Sequence, residues 1–307
     1  MRLEPIVPFE PVLVKEIPVG REYIAQIKWD GVRILTYFDG KGVRLFNRKK
    51  NERTAHYPEL TAVDAYSEAD SFVLDGEVIA LSKEGKPSFH QVMKRDGLRS
   101  PVKIERRKNE IPIFYMVFDL LYLNGKWLFS TPFFRREELL HRTIRGNRTV
   151  HLVESFPSPA RLKQVVEEQG LEGIVVKEKR SLYLPGGKDR RWQKWKKIQF
   201  ITAIIGGMVE KGGELRSLLL GLPEEGGLSY IGHVGTGSLN EKERRKMLEL
   251  LRPLLTDENP FGKRGEVPKS YSWLIPIINV KVRFLEWTEK GTLRQPVLEE
   301  ILGEGEG

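Results

Sequence analysis

The chain has 307 residues, 40% of them hydrophobic, enough for two domains and a sizeable core. Lys and Arg outnumber Asp and Glu by 51 to 42, and the resulting formal charge of +9 suits a polyanionic partner without proving one. The sequence has no cysteine, which excludes disulfides, zinc–thiolate sites and cysteine nucleophiles, and it has no apolar run long enough to span a membrane. Its first eight residues, broken by prolines and charge, do not resemble a signal peptide, so the expectation is a cytoplasmic, globular protein.

Residues 1–22, rich in Pro and Val, read as an extended lead-in. Residues 23–27 form an apolar strand that ends in Lys28, and Asp30-Gly31 predicts a tight hairpin into a second strand over 32–38. Residues 42–46 alternate as a further strand running into Arg48, and Tyr57-Pro58 opens a short helix. Residues 71–81 form an apolar strand interrupted by Asp75, Gly76 and Glu77. Two carboxylates in a buried strand call for a ligand, a metal or an ion pair. A basic stretch over 94–107 reads as a mobile surface loop able to touch a phosphate backbone.

A nearly fully apolar strand over 112–122 carries Phe118 and Asp119, and helices follow over 135–144 and 159–169, the second stopped by Gly170. Residues 171–177 give a short strand with Glu172 before it and Lys177 at its end. In the strand over 190–197, period-two alternation puts Lys194 and Lys196 on one face and Gln193, Trp195 and Lys197 on the other. Beyond residue 198, short strands separated by glycine-rich turns (201–209, 215–222, 228–234), one amphipathic helix (240–251) and two closing strands (272–276, 279–287) fit a small OB-type barrel. The domain boundary is placed at Lys197.

A free lysine holds its proton at neutral pH, its pKa lying near ~10.4. A nucleophilic lysine therefore needs cations or burial supplied from elsewhere in the chain. The ordered series of Lys28-x-Asp-Gly-x-Arg33, Arg48, Asp75-Gly76-Glu77, Phe118-Asp119, Glu172 to Lys177, and Trp192 to Lys196 resembles the covalent nucleotidyltransferases, and specifically the ATP-dependent DNA ligases. The linking stretches Phe118 to Gly125, Tyr183 to Gly186, His233 to Gly237 and Leu293 to Val297 are similar to the ligase domains of bacterial end-joining DNA ligases and their stand-alone relatives. In those relatives a His often stands in place of Gln295.

The resemblance implies an α+β chain: a nucleotidyltransferase (adenylation) domain of antiparallel sheets with flanking helices over 1–197, then an OB-fold β-barrel over 198–307. It implies ATP as substrate, with Lys28 as the residue that becomes AMP-lysine and Lys194 and Lys196 as cations at the α-phosphate. Gln26, Ile27, Arg33, Arg48, Glu77, Phe118, Lys177 and Arg294 fall to nucleotide binding. Of these, Arg48 and Glu77 would hold the ribose, Phe118 would stack on adenine, and Arg294 would reach the pyrophosphate on domain closure. Glu172, Asp75 and Glu77 would serve Mg²⁺ or Mn²⁺. Nicked double-stranded DNA is the implied partner, a Ku-like end-joining protein a further candidate, and a monomer the implied state. No helical domain precedes Lys28 and no polymerase or nuclease domain is attached, so a minimal core is expected and NAD⁺ is not the expected donor. Two readings compete: an RNA ligase or GTP-using capping enzyme, which share the Lys28 motif, and a nucleic-acid-binding module without chemistry.

Overall fold

Apolar alternation builds the strands of the first 197 residues, and Ser or Pro at the helix starts builds the helices between them. In chain order these are β1 (Glu10–Leu13), β2 (Tyr23–Lys28), β3 (Val32–Phe38), β4 (Val43–Asn47), β5 (Phe72–Ile79), α1 (Phe89–Asp96) and α2 (Pro101–Glu110). There follow β6 (Phe114–Leu123), β7 (Lys126–Trp127), α3 (Phe133–Thr143), β8 (Val150–Leu152), α4 (Pro159–Gln169), β9 (Gly173–Glu178) and β10 (Lys188–Lys196). The structure is a computed structural model describing residues 3–261, 271–288 and 290–304, and it divides into two units, Met1–Lys197 and Ile198–Gly307. Among the described residues, no helix is long and apolar enough to cross a membrane.

Two sheets make up the first unit, one ordered β1-β10-β9-β2 and the other β4-β3-β5-β6-β7 with β8 beside β6. Most pairings are antiparallel; β1 with β10 and β6 with β8 are parallel. One apolar cluster joins the sheets, drawing Ile24 and Trp192 from the first and Leu35, Tyr37, Val73 and Leu121 from the second. Behind the first sheet, α4 lays Leu162 and Val166 on Ala25, Ile174, Val176 and Trp195. Behind the second, Val92 of α1 and Leu140 of α3 join a larger core with Ile34, Leu74 and Val117. Ser158 caps α4 by accepting from the Arg161 N–H, and Gly170, at φ 66°, ends it in the left-handed conformation that glycine adopts freely.

The structure corrects two local expectations. Asp30-Gly31 does not close a hairpin: β2 pairs with β9 and β3 pairs with β4 and β5, so the dipeptide carries the chain from one sheet to the other. Glycine is needed there for close approach, since a Cβ on Gly31 would lie 2.2 Å from the Val78 carbonyl oxygen. Most of the basic stretch over 94–107 is not a loop either: 94–96 end α1 and 101–107 belong to α2, with 97–100 joining them. Ser88 caps α1 by accepting from the Gln91 N–H, and the buried Arg95 guanidinium bonds both carboxylate oxygens of Glu59 and the carbonyls of His56 and Ile111. Charge that looked like a solvated loop is in part the anchor of a helix.

The second unit contains β11 (Gln199–Lys211), β12 (Glu214–Glu224), β13 (Gly227–Gly235), α5 (Glu241–Leu251), β14 (Leu255–Thr256), β15 (Ser272–Leu274) and β16 (Ile278–Phe284). It closes with β17 (Glu286–Trp287), β18 (Leu293–Arg294) and β19 (Val297–Glu304). The expected strand over 279–287 is interrupted at Leu285, and β18 and β19 add to the elements expected from sequence. The long β11 pairs with β12 along one part and with β16 along another, which curls the sheet into the half-barrel of an OB-type fold. Ala203, Leu218, Leu220, Ile231, Val280 and Val282 fill it. Helix α5 adds Met247, Leu248 and Leu251 to the same core and starts in a capping box of Asn240 and Glu243.

Asp119 of β6 and Arg136 of α3 form a two-pronged ion pair, Nε–Oδ1 2.8 Å and Nη2–Oδ2 2.9 Å, with neither side chain exposed. Removing one partner leaves a buried charge uncompensated, a loss of about 3–5 kcal/mol. The Arg136→Leu variant should lower the protection of β6 amides in native-state hydrogen exchange by that amount; a loss below about 1 kcal/mol would contradict this role for the pair.

Candidate active site

Register on the first sheet sets three rows of side chains on one face. Lys28 of β2, Gly173 of β9 and Lys196 of β10 form the first row. Gln26, Val175 and Lys194 form the second, and Ile24, Lys177 and Trp192 the third. Gly173 keeps the space between the two lysines free of a side chain, and a Cβ there would lie 2.1 Å from the Trp195 carbonyl oxygen. Glu172, one residue before, spans the gap: Oε2 accepts from Lys28 Nζ at 2.7 Å and Oε1 pairs with Lys196 Nζ at 2.8 Å.

The electrostatics follow from this packing. Burial works to raise the Glu172 carboxyl, but Lys28 and Lys196 outweigh it and hold it below the usual carboxylate range. Burial pulls the Lys194 amine down, helped by the like charges of Lys28 and Lys196. Glu77 of β5 faces this group and is pushed up to about 8, chiefly by burial, with Lys28 and Arg33 opposing and Glu172 and Asp30 adding to the rise.

Other residues singled out in the sequence take different places. Asp75 is buried, with both oxygens bonded by Arg33 (Nε–Oδ1 2.8 Å, Nη2–Oδ2 2.6 Å) and a further bond from the Tyr183 hydroxyl at 2.9 Å. Of the alternatives left open for it, the ion pair is the one present, and both Asp75 oxygens are engaged by Arg33. Burial works against the Arg33 charge, but Asp75 more than compensates and holds the guanidinium above its ordinary range. Arg33 also donates to the Phe9 carbonyl, and its guanidinium carbon lies 5.3 Å from the centre of the Phe118 ring. Ile27 points to the opposite face, into the core beneath α4. Arg48 is exposed just beyond β4, 3.9 Å from Glu10. Arg294 lies in β18 of the second unit.

Lys177 stays away from the lysine group. It is 1% exposed and boxed by aromatic faces, its Nζ 4.1 Å from the Trp192 ring centre, 4.3 Å from Phe133 and 4.8 Å from Phe118, and it donates to the Phe118 carbonyl at 3.3 Å. Burial drives this amine down to about 7 against the raising influence of Asp119, Glu137 and Asp75. Three contributors escaped the sequence reading: Glu10 beside Arg48, and the pair Glu137 and Ser155 that bonds to Gln26. They sit in segments with no motif, and only the packing of α3 and the chain after β8 brings the last two to β2.

Comparison with known proteins bears on this geometry. Residues 12–196 match the ATP dependent DNA ligase domain, and residues 211–301 match the ATP dependent DNA ligase C terminal region. The chain belongs to the ATP-dependent DNA ligase family. It is 36% identical over 279 residues to the multifunctional non-homologous end joining DNA repair protein LigD of Mycobacterium tuberculosis, covering 87% of this chain and 34% of that protein. A DNA ligase of Methanopyrus kandleri is 31% identical, over 84% of this chain and 50% of its own. This family member thus spans about a third of the LigD proteins and half of the archaeal one. Among solved structures, mycobacterial DNA ligase D complexed with ATP and MES aligns over 98% of this chain and 96% of its own with 32% identity and a TM-score of 0.56. A Lig E DNA ligase, 20% identical with a TM-score of 0.60, shares the fold. The two-part architecture, a nucleotidyltransferase domain followed by an OB-fold, is that of the family.

The Lys177 box carries a pH signature. The folded chain gives up this proton near pH 7, while the unfolded chain keeps it to the ordinary lysine range, so folding releases a proton between the two and stability gains as pH rises across that window. Urea unfolding at several values between about pH 7 and about pH 10 should show wild-type stability climbing relative to Lys177→Met, by at most about 1.4 kcal/mol per pH unit. Parallel curves for the two proteins would refute the assignment.

Proposed function

We propose that this chain seals nicks between a 5′-phosphate and a 3′-hydroxyl in double-stranded DNA at the expense of ATP, through a lysyl-AMP on Lys28 and a DNA-adenylate. The observation that carries the reading is the Lys28–Glu172–Lys196 group, set beside Lys194 on the face of the sheet turned away from α4, with Glu77 within electrostatic reach. A binding module has no need to enclose a lysine among two further lysines and two carboxylates. A phosphoryl-transfer site needs both a nucleophile and cations for the equatorial oxygens.

In the first step the Lys28 amine, freed from Glu172 and with its proton passed to solvent, attacks the α-phosphorus. The N–P bond forms, the α–β anhydride breaks and pyrophosphate leaves. Lys194 and Lys196 take up the charge growing on the α-phosphate oxygens. Glu77 and Arg48 serve the ribose and Phe118 the base. In the second step a 5′-phosphate oxygen attacks the same phosphorus and Lys28 leaves as an amine. In the third, the neighbouring 3′-hydroxyl attacks the DNA phosphorus and AMP departs. Activation is thus stored on the enzyme until a nick arrives.

Among the described residues, no group of three or more His, Asp or Glu side chains forms a metal cluster. Glu172 and Glu77 nevertheless fit Mg²⁺ or Mn²⁺, because such an ion is held by one or two carboxylates with phosphate oxygens completing its shell. Asp75, both oxygens committed to Arg33, does not join them. When bound, the ion supplies Lewis-acid charge at the α-phosphate and competes with Lys28 for Glu172. End joining as the cellular role is consistent with the names of the LigD relatives, and a Ku-like partner and a monomeric state form part of the proposal.

Intact mass after incubation with ATP and Mg²⁺ tests the first step, with pyrophosphate stripping beforehand to remove any adenylate already carried. The wild type should gain one AMP, and Lys28→Ala none. Nick sealing on DNA and RNA duplexes with ATP or GTP then separates the DNA reading from RNA ligase and capping enzyme. A stripped wild type that gains no nucleotide from either triphosphate would leave only the binding module.

A further inference from the structure

The Gln26 amide has a fixed direction, set from outside the catalytic group. Its side chain is 3% exposed and lies in the row of Val175 and Lys194, two residues before Lys28. Nε2 donates to Ser155 Oγ at 3.1 Å, and Ser155 Oγ donates in turn to the Glu137 carboxylate. A hydroxyl has one hydrogen and a carboxylate only accepts. The Ser155 hydrogen is therefore committed to Glu137, and toward Gln26 the hydroxyl can only accept. The flipped amide is excluded, because it would set a carbonyl oxygen against a lone pair.

With Nε2 anchored, Oε1 is the end of the amide left for a ligand, and it is not one of the sealed, partnerless polar atoms of the described residues. Lys177, two residues beyond Val175 on β9, lies 4.8 Å from the Phe118 ring centre, so a base resting on Phe118 sits about one row from Gln26. An acceptor in that place matches an exocyclic amine and opposes a carbonyl.

We propose that Glu137 and Ser155 are positioning residues that hold the Gln26 carbonyl oxygen toward the base, so that the site selects a purine with an amine at C6 over one with a carbonyl there. This rests on the reading of the cleft as an ATP site. Glu137 belongs to α3 and Ser155 to the segment between β8 and α4, and neither touches Lys28, Glu172, Lys194 or Lys196 among their bonds in the described residues. Their contribution is therefore to selectivity and not to the phosphoryl chemistry.

The test is the single-turnover labelling of Lys28 with ATP and with inosine triphosphate, which bears a carbonyl at C6 and a hydrogen on N1 where ATP has an amine and an acceptor. The wild type should favour ATP by about tenfold or more. Ser155→Ala frees the amide to turn, and the ATP-to-ITP ratio should fall about tenfold. Glu137→Gln lets the Ser155 hydrogen swing toward Gln26 and should lower the ratio in the same direction without removing any packed atom, which covers the case of a Ser155→Ala protein that does not fold. Gln26→Glu on the Ser155→Ala background should restore the preference, since both carboxylate oxygens accept and no orientation is needed. A purely structural relay would lower stability and leave the ratio alone. Ratios within about twofold of wild type in both Ser155→Ala and Glu137→Gln overturn the proposal, as does a wild type labelled equally by the two nucleotides, and in either case the ATP reading stands. A wild type labelled by neither overturns the ATP reading itself.

Discussion

Glu172 holds two ammonium groups at once, and much of the first unit is arranged around that triad. Lys28 and Lys196 stand on strands two apart, separated only by Gly173, and without the carboxylate their like charges would repel across a partly desolvated gap. The pairing holds the two ammonium groups side by side, and an ammonium nitrogen, with all four bonds made, has no lone pair to offer.

Around the triad, the acids and bases divide between scaffold and site by how fully their bonds are satisfied. Asp75 with Arg33 and Tyr183, and Asp119 with Arg136, are closed sets in which every charge is met inside the protein. They hold β3, β5, β6 and α3 in register. Glu77, Lys194 and Glu172 are open sets with shifted proton affinities and surface left over. Buried charge without a full complement is costly, and it is found where a charged ligand would complete it. Lys177 lies between the two kinds, enclosed by three aromatic rings and held by one carbonyl.

Sequence errors at two places share a cause. Asp30-Gly31 carries a genuine turn signal, but a dipeptide cannot say whether the strands it joins pair with each other, and here Gly31 serves the close approach of the Val78 carbonyl. The 94–107 segment is dominated by charge, which hid the helical spacing of its few buried residues. Arg95 is part of the core because Glu59, 36 residues away, comes to meet it. In both cases the deciding contact is long-range.

The sequence by itself determined the strands, most of the helices, and the face that Lys194 and Lys196 share, because period-two and 3.6-residue patterns are local properties of the backbone. It also carried, through its ordered motifs, the membership of the ATP-dependent DNA ligase family. Tertiary structure alone decided which carboxylate meets which cation. Glu172 rather than Asp75 joins Lys28, because strand register brings residues 28, 173 and 196 abreast with Glu172 one residue before β9, while Arg33 claims Asp75 first. It likewise enclosed Lys177 among aromatic rings and set Ser155, with Glu137 behind it, against Gln26, the last a contact across 129 residues that leaves no trace in local pattern.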